Sequence, residues 1–488
     1  MRQLLKRFWK GMNKMGKPTG FIDYQRESAK YRPAEERVHD YEWIHTAPNS
    51  ATDAAANASE RKEQAGRCMA CGVPFCQFPT RGAALPSATS TSATSPNAAS
   101  PRAAKPADEG CPLRNQIPEW NEQLWKENIP VALERLLRTN RFPDFTGYVC
   151  PALCERACNC NKCGGAVTVN DNERFIIETA FAKGLMQPRI PECRSGKNIA
   201  VVGSGPAGLT VADMLNQRGH NVTVFERDAR PGGLLVYGIP NMKLPKSVVA
   251  RRINLLTEEG ITFKCNANVG ESETLNAETL AANYEAVVFA IGAQEPRRVA
   301  YEKDATGVVY ALDYLGAAAR NQLQEAALPT HLNASGKVVA VVGAGDSAND
   351  CIATALRQGA HDIVQLIRRP MSDYGCMNDY AHVESCAVLG HDIRHFSTQV
   401  ASVCADETGA LKKIVLSTPD GEEAIDAQLL IVASGFSGHQ AFDVPSLPNV
   451  FCAGDMQTGA SLVVKAMAHA RNVAAEVDCY LSGYSPID

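Results

Sequence analysis

Val201-Val202-Gly203-Ser204-Gly205-Pro206-Ala207-Gly208 is the stretch that decides the fold of this chain, and its pattern recurs at Val341-Val342-Gly343-Ala344-Gly345-Asp346-Ser347-Ala348. Each copy follows an apolar run typical of a buried parallel strand. In a Rossmann fold such a glycine-rich turn joins a strand to a helix, and the helix N terminus binds a diphosphate. One such motif is a weak signal, whereas two predict a protein that holds two dinucleotides.

In the first motif each glycine has a separate task. Gly203 allows the tight turn, Gly205 admits the diphosphate to the backbone, and Gly208 lets the helix pack on the strand. A second strand is predicted over 221–225 and ends at Glu226, whose carboxylate can accept hydrogen bonds from an adenosine ribose. This site therefore suits FAD or NAD. The alternative is an ordinary glycine turn in an α/β sheet.

The second motif differs where its second strand ends. Arg368 and Arg369 stand where the first unit has Glu226, and a guanidinium pairs with a 2′-phosphate that a carboxylate would repel. This unit is therefore predicted to prefer NADPH over NADH, unless the two arginines are only a solvated basic pair. The residues predicted to contact the nucleotide are Gly343, Gly345, Asp346, Ser347, Ala348, Arg368 and Arg369.

Cysteines cluster before both motifs. The chain has 17, and the runs Cys68-x2-Cys71-x4-Cys76, Cys111-Pro112 and Cys150-x3-Cys154-x3-Cys158 have spacing typical of metal ligands. Iron–sulfur clusters fit best, because zinc would give the flavin's electrons no outlet; structural zinc and free thiols are the alternatives. Cys160 and Cys163 are additional candidate ligands.

Length and composition set broad limits. The 488 residues suffice for about three domains, and the net charge of −4 gives no reason to expect a nucleic-acid partner. No apolar run reaches the roughly 18 residues of a membrane span. A secreted disulfide scaffold is normally short and carries a signal peptide, whereas this chain is long and shows no apolar signal-peptide core, so its cysteines fit metal ligation in a reducing cytosol and we expect a cytoplasmic protein. The first 17 residues carry six Lys or Arg, which fits a mitochondrial presequence or a basic extension before a second start at Met15.

These patterns predict an α/β chain with a helical N-terminal iron–sulfur domain and two Rossmann-like domains, the second inserted in the first. The expected boundaries are 1–190, then 197–313 with 436–488 for FAD, and 314–435 for NADPH. A helix is predicted over 118–138. Residues 82–106, rich in Ala, Ser and Pro, are predicted to be a flexible insert without a catalytic role.

Further motifs extend along nearly the whole chain, and with them it resembles the glutamate synthase small-subunit family. They include Met15-Gly16-Lys17-Pro18-Thr19-Gly20-Phe21, Arg67-Cys68-Met69-Ala70-Cys71-Gly72-Val73-Pro74-Phe75-Cys76, Gly232-Gly233-Leu234-Leu235 and Ala453-Gly454-Asp455. The cysteine and Rossmann parts are shared with wider relatives such as dihydropyrimidine dehydrogenase.

The resemblance implies two [4Fe-4S] clusters. One would be held by Cys68, Cys71, Cys76 and Cys158, and the other by Cys111, Cys150, Cys154 and Glu173. FAD would occupy the first motif, and NADPH the second. The FAD-binding residues would be Gly203, Gly205, Pro206, Ala207, Gly208, Glu226, Gly233, Leu234, Gly454 and Asp455.

The same resemblance implies an NADPH-oxidising subunit that passes electrons from FAD through the clusters to a large (α) subunit, which makes glutamate from glutamine and 2-oxoglutarate. No catalytic side chain is expected, because cofactor positioning suffices for hydride transfer. Two alternatives remain at this point: an electron-transfer subunit with a ferredoxin-type partner, and a non-catalytic assembly module with a zinc-bound N terminus.

Overall fold

A computed structural model describes residues 19–47, 51–79, 109–272, 274–301, 305–373, 380–438, 442 and 444–487. The chain divides into two compact units, namely the described parts of Met1–Ala29 with Ala47–Met186, and of Lys30–Thr46 with Gln187–Asp488. Residues 30–46, expected in the N-terminal domain, thus belong to the nucleotide-binding unit. The predicted insert 82–106 and the basic N terminus lie outside the described residues.

The first unit is helical and packs around fully buried aromatic and aliphatic side chains such as Trp120, Phe142, Phe145 and Ile176. Its α-helices are Gly20–Asp23, Ala51–Gly66, Ile117–Trp125, Ile129–Thr139, Pro143–Val149, Leu153–Arg156 and Val169–Ala182, with 3-10 turns at Phe75–Gln77 and Asn159–Lys162.

The single helix predicted over 118–138 is wrong, because the chain breaks it into two. Glu127 adopts a left-handed conformation with φ of 59°. The side chain of Asn128 then caps the next helix by accepting a hydrogen bond from the Val131 amide at 3.5 Å. Pro130 stands in the first turn of that helix, where its missing N–H costs nothing. Apolar periodicity continues across the break and hides it.

The second unit contains two parallel five-stranded sheets. The first has the order Val450–Cys452, Ala286–Phe289, Asn198–Val202, Asn221–Phe225 and Thr262–Lys264. Its inner strands read as continuous apolar runs because both faces are covered. The covering helices and those after the last strand are Pro206–Gln217, Leu234–Tyr237, Lys246–Glu258, Ala277–Asn283, Asp455–Thr458 and Val463–Ser482.

The second sheet has the order Val308–Tyr310, Leu429–Val432, Val338–Val342, Asp362–Ile367 and Arg394–Phe396. Val308–Tyr310 therefore lies in the second sheet, although the expected boundary placed it in the first domain. The α-helices of this part are Ala34–Arg37, Ala311–Gln322, Asp346–Arg357 and Tyr380–Leu389, with 3-10 turns at Thr330–Leu332 and Met371–Asp373.

An antiparallel sheet of Gln399–Ala405, Leu411–Thr418 and Gly421–Asp426 precedes the strand Leu429–Val432. The chain leaves the first sheet through Glu295–Pro296 and returns through Phe436–Gly438, and these two segments pair with each other. Val450–Cys452 then completes the first sheet beside Ala286–Phe289. The predicted fold class, with the second nucleotide-binding unit inserted in the first, is confirmed.

In the part of the chain that the structure describes, no helix combines the length and apolar character needed to cross a membrane.

Candidate functional site

The first glycine-rich turn lies between the strand Asn198–Val202 and the helix Pro206–Gln217. Gly203 has φ of 97°, and a Cβ there would lie 2.6 Å from the carbonyl oxygen of Ala290. A Cβ on Gly208 would lie 1.9 Å from the carbonyl oxygen of Gly203, whereas one on Gly205 would meet nothing within 4 Å. Two glycines therefore permit close packing, and Gly205 leaves open space before the helix N terminus.

Glu226 follows the second strand and is buried. Its Oε2 accepts hydrogen bonds from the amide of Ser204, at 3.0 Å, and from the Ser204 hydroxyl, while its Oε1 accepts one from the Asp228 amide at 2.9 Å. The Ser204 hydroxyl also accepts a hydrogen bond from the Gly232 amide at 2.8 Å. Ser204 therefore fixes Glu226 and the Gly232-Gly233 turn against the glycine loop, a role that no sequence pattern indicated.

A cavity of about 580 Å³ opens beside this turn, a volume typical of small-molecule and cofactor sites. Gly454 does not line the cavity itself but packs behind Ala207, which does, since a Cβ on Gly454 would lie 2.4 Å from the Cβ of Ala207. Gly208 likewise packs behind the wall. The proposed FAD residues that line the cavity directly are Gly203, Gly205, Pro206, Ala207, Glu226, Gly233, Leu234 and Asp455. This open, glycine-lined space with a carboxylate in its wall fits FAD.

Asp455 shapes another wall of the same cavity. Its Oδ2 accepts a hydrogen bond from the Ser461 amide at 3.0 Å, and its Oδ1 accepts one from the Ser461 hydroxyl at 2.5 Å. Ser461 and Val463 line the cavity, and Val463 begins the helix that ends at Ser482. The partial positive charge of that helix N terminus therefore faces the site.

The second glycine-rich turn has the same construction in the other sheet. Gly343 has φ of 135°, and a Cβ there would lie 2.5 Å from the carbonyl oxygen of Ala433. Gly345 precedes the helix Asp346–Arg357, and a Cβ on it would meet nothing within 4 Å. Ser347 follows Asp346 in the first turn, and Ala348 is fully buried where the helix meets the sheet.

Arg368 and Arg369 directly follow the strand Asp362–Ile367, and both are exposed. They thus occupy the position that the buried Glu226 holds in the first unit, with the opposite charge and free access to solvent. None of the second set of predicted residues lines the 580 Å³ cavity. The structure therefore separates the two predicted nucleotide sites.

The first cysteine group comes together in the helical unit. Cys68, Cys71, Cys76 and Cys158 line one small pocket, together with Cys160 and apolar side chains including Ile117 and Val169. Burial raises the pKa of Cys68 to about 12 and that of Cys76 still further. In contrast, a hydrogen bond between the thiols of Cys158 and Cys160 lowers the pKa of Cys158 to about 6.

The second group lies nearby, around Glu173. The amide of Cys111 donates a hydrogen bond to the carbonyl of Cys76 at 2.9 Å, which links the two groups. Burial raises the pKa of Cys111 to about 11 and that of Cys150 to about 12, and the nearby Glu173 carboxylate acts in the same direction on both. Burial also raises the pKa of Cys154.

Glu173 is held by three uncharged donors. Its Oε1 accepts hydrogen bonds from Asn140 Nδ2 at 3.1 Å and from the Thr146 hydroxyl, and its Oε2 accepts one from Asn115 Nδ2 at 3.4 Å. Burial raises the pKa of Glu173 to about 7. Glu173 lies near enough to Cys111 and Cys150 to raise the pKa of both thiols, and its role as a fourth cluster ligand stays a prediction.

The donor chemistry fits anionic cluster ligands. None of the described cysteines forms a disulfide, and buried thiolates need a cationic partner to remain charged. Among the described residues, no three His, Cys, Asp or Glu side chains are arranged to share one metal ion. A [4Fe-4S] cluster does not require that arrangement, because its four cysteines bind four different irons.

Comparison with known proteins decides the family. Residues 197–444 match the pyridine nucleotide-disulphide oxidoreductase model, and residues 100–185 match the model of dihydropyrimidine dehydrogenase domain II with its 4Fe-4S cluster. The glutamate synthase [NADPH] small chain of Bacillus subtilis is 41% identical over 96% of this chain and 99% of its own length. This chain belongs to the glutamate synthase small-chain family.

Other relatives agree with this assignment. The glutamate synthase [NADPH] small chain of Mycobacterium tuberculosis is 36% identical over 97% of this chain and 98% of its own length. The glutamate synthase [NADH] of Schizosaccharomyces pombe is 34% identical over 96% of this chain, which spans 23% of that protein. The chain is thus an NADPH-dependent oxidoreductase with an electron-transfer role, an FAD- and NADPH-binding domain and a 4Fe-4S domain. The predicted family and enzyme class are confirmed.

Proposed function

We propose that this chain is the electron-input subunit of a two-subunit glutamate synthase. It oxidises NADPH and delivers electrons, by way of FAD and two [4Fe-4S] clusters, to a large subunit that makes glutamate from glutamine and 2-oxoglutarate. The observation that carries the proposal is the joint presence of two separate glycine-lined nucleotide turns and two groups of buried thiols in a chain that matches bacterial small chains over nearly its full length.

The nucleotide sites are assigned by charge. Gly203, Gly205 and the helix N terminus after them bind the FAD diphosphate, and Glu226 accepts hydrogen bonds from the ribose. Arg368 and Arg369 pair with the 2′-phosphate of NADPH at the other turn. When bound, FAD accepts a hydride from NADPH and releases the two electrons singly. The proposed FAD-binding domain is 197–313 with 436–488, and the proposed NADPH-binding domain is 314–435. One change is needed at their boundary, because the strand Val308–Tyr310 belongs to the sheet of the NADPH-binding domain.

The cysteine sites are assigned by grouping. Cys68, Cys71, Cys76 and Cys158 hold one cluster in their shared pocket. Cys111, Cys150, Cys154 and Glu173 hold the second. Apolar side chains such as Ile117 and Val169 line the pocket of the first group, and the Asn and Thr donors around Glu173 fix the direction of its carboxylate.

Co-purification from the native host tests the proposal. The complex should contain a large subunit, about eight irons per small chain if both clusters are present, and FAD that NADPH bleaches. It should form glutamate from glutamine and 2-oxoglutarate with NADPH. A purified complex that contains iron and a ferredoxin-type protein, but no large subunit, would overturn the assignment to glutamate synthase. The cytoplasmic location stays a prediction, which fractionation of the same cells tests.

A further inference from the structure

Arg67 immediately precedes the first proposed cluster ligand and is one of the largest fully buried side chains, with 1% of its surface exposed. It follows the helix Ala51–Gly66, where a positive charge complements the negative end of the helix dipole. Nucleotide binding gives this arginine no task, since it lies in the helical unit. Burial of an unpaired charge destabilises the folded state, so the groups around the Arg67 guanidinium must compensate for its charge.

The guanidinium of Arg67 is held on two sides. Its Nη1 donates to the carbonyl of Tyr24, and its Nη2 donates to the carbonyls of Gly164 and Gly165 at 2.9 and 2.7 Å. These bonds fix the backbone after Cys163. Nε has no hydrogen-bond partner among the described residues, although it is buried. One strong donor therefore remains available.

The charge of Arg67 is uncompensated by any carboxylate in the described surroundings. Arg67 directly precedes Cys68 in the chain, and the thiol of Cys160 donates a hydrogen bond to the Arg67 carbonyl at 3.5 Å. Cys68 and Cys160 both line the pocket of the first cysteine group. Buried charges in proteins are normally paired or bound to a metal centre. The candidate anion next to Arg67 is thus the thiolate-bound cluster of the pocket that Cys158 and Cys160 line.

We propose that Arg67 is the positioning and charge-compensating residue of the first cluster: its buried cation faces the anionic cluster, and its Nε donates to a cluster or cysteine sulfur. This inference rests on the proposed function. Net charge and hydrogen bonds to sulfur set the potential of such clusters. Because reduction adds negative charge, Arg67 stabilises the reduced form and raises the potential. Its hydrogen bonds to the carbonyls of Tyr24, Gly164 and Gly165 hold the guanidinium in place.

Two variants of the holoenzyme separate charge from geometry. Arg67→Gln removes the charge, and we expect the ratio of reduced to oxidised first cluster at a fixed potential to fall at least about tenfold, which is about 59 mV for a one-electron centre. Arg67→Lys keeps the charge but not the planar fork. The cluster potential of this variant should differ from that of the wild type by less than about half of that shift. A chelator should nevertheless remove iron from this variant faster than from the wild type.

Arg61→Gln is the matched control. Arg61 is also buried in this unit, but it has carboxylate partners in Glu60 and Asp171. Its loss should lower stability without moving the potential. Iron content and potentiometric titration followed by EPR are measured on all variants, and the first cluster is identified by the signal that Cys71→Ala loses.

The outcomes are distinct. Arg67→Gln with wild-type iron and wild-type potential overturns the inference, as does an equal shift in Arg61→Gln. If Arg67→Gln does not fold, Arg67→Lys decides, and chelation of its iron at the wild-type rate overturns the proposed role. A wild-type holoenzyme without iron would instead refute the proposed function on which the inference rests.

Discussion

Gly454 and Ala207 stand so close that a Cβ atom built on the glycine would lie 2.4 Å from the Cβ atom of Ala207. The C-terminal Gly-Asp turn is therefore seated directly on the first residues of the helix that follows the proposed diphosphate-binding loop. Gly454 also has φ of 72° and ψ of −147°, a backbone conformation that is nearly restricted to glycine and costs an L-residue about 1–3 kcal/mol. Strain and steric overlap thus act at the same position.

Gly454→Ala should weaken FAD binding at least about tenfold, equivalent to about 1.4 kcal/mol, because relief of the overlap must move the wall of the cavity. FAD content and the FAD dissociation constant measure the effect. Gly459→Ala is the matched control, since Gly459 has φ of 81° but a Cβ there would meet nothing within 4 Å. Equal losses in both variants would show that backbone strain alone, and not contact with Ala207, is responsible.

Arg368→Ala and Arg369→Ala should each reduce the preference for NADPH. Loss of one charge-assisted pair with the 2′-phosphate costs about 1.5–3 kcal/mol, so kcat/KM for NADPH should fall roughly 10- to 150-fold while that for NADH changes little. Steady-state kinetics with an artificial acceptor measure both ratios. Lys413→Ala removes the same charge from the antiparallel sheet and should change neither. Unaltered nucleotide preference in both arginine variants would refute the assignment.

Local patterns predicted the nucleotide turns, because strand, glycine turn, helix and terminal charge are all neighbours in sequence. The contacts that hold Arg67 depend instead on residues far along the chain, since its guanidinium donates to the carbonyls of Gly164 and Gly165. Hydrophobic periodicity carries no signal for such contacts. It also runs unbroken through Glu127, whose left-handed conformation ends a helix.

The placement of residues 30–46 in the second unit was unpredictable for the same reason. Arg37 Nε donates to Glu384 Oε1 at 2.6 Å, and Arg357 Nη1 donates to Glu384 Oε2 at 2.7 Å. All three side chains are at most 2% exposed. A single buried carboxylate thus joins residues that are hundreds of positions apart, and neither the charge nor the spacing of Arg37 distinguishes it from a surface residue.

Glu384→Gln should destabilise the nucleotide-binding unit by about 3–5 kcal/mol, because it leaves two buried guanidinium groups without a counter-charge. Chemical denaturation of the holoenzyme, followed by flavin release, measures the loss. Asp426→Asn in the same unit provides the comparison, since its pair with Lys413 is about half exposed and should contribute no more than about 1 kcal/mol. A loss for Glu384→Gln no larger than for Asp426→Asn would contradict the buried network.

Replacing residues 82–106 with a short Gly-Ser linker should leave the iron content unchanged. The described residues that flank this tract already meet, since the amide of Cys111 bonds to the carbonyl of Cys76 and a Cβ on Gly110 would overlap the carbonyl oxygen of Phe78 at 1.9 Å. Loop-closure entropy grows only with the logarithm of length. Iron analysis of the shortened chain checks this, and a loss of iron would mean that the tract contributes to the site.

Cys71→Ala should separate the two halves of the electron path. Removing one of four ligands leaves a labile centre, but the nucleotide turns lie in the other compact unit with their own contacts. FAD content and NADPH-to-dye activity should therefore stay near wild type, while NADPH-dependent glutamate formation in the complex is abolished. Cys479→Ala, on the exposed side of the helix Val463–Ser482, removes a thiol outside the cysteine groups and should affect neither activity.

Both activities, FAD and iron are measured on the same preparations. Full glutamate synthesis by the Cys71→Ala complex would rule out transfer through this cluster, whereas joint loss of FAD and dye reduction would assign Cys71 a structural role instead.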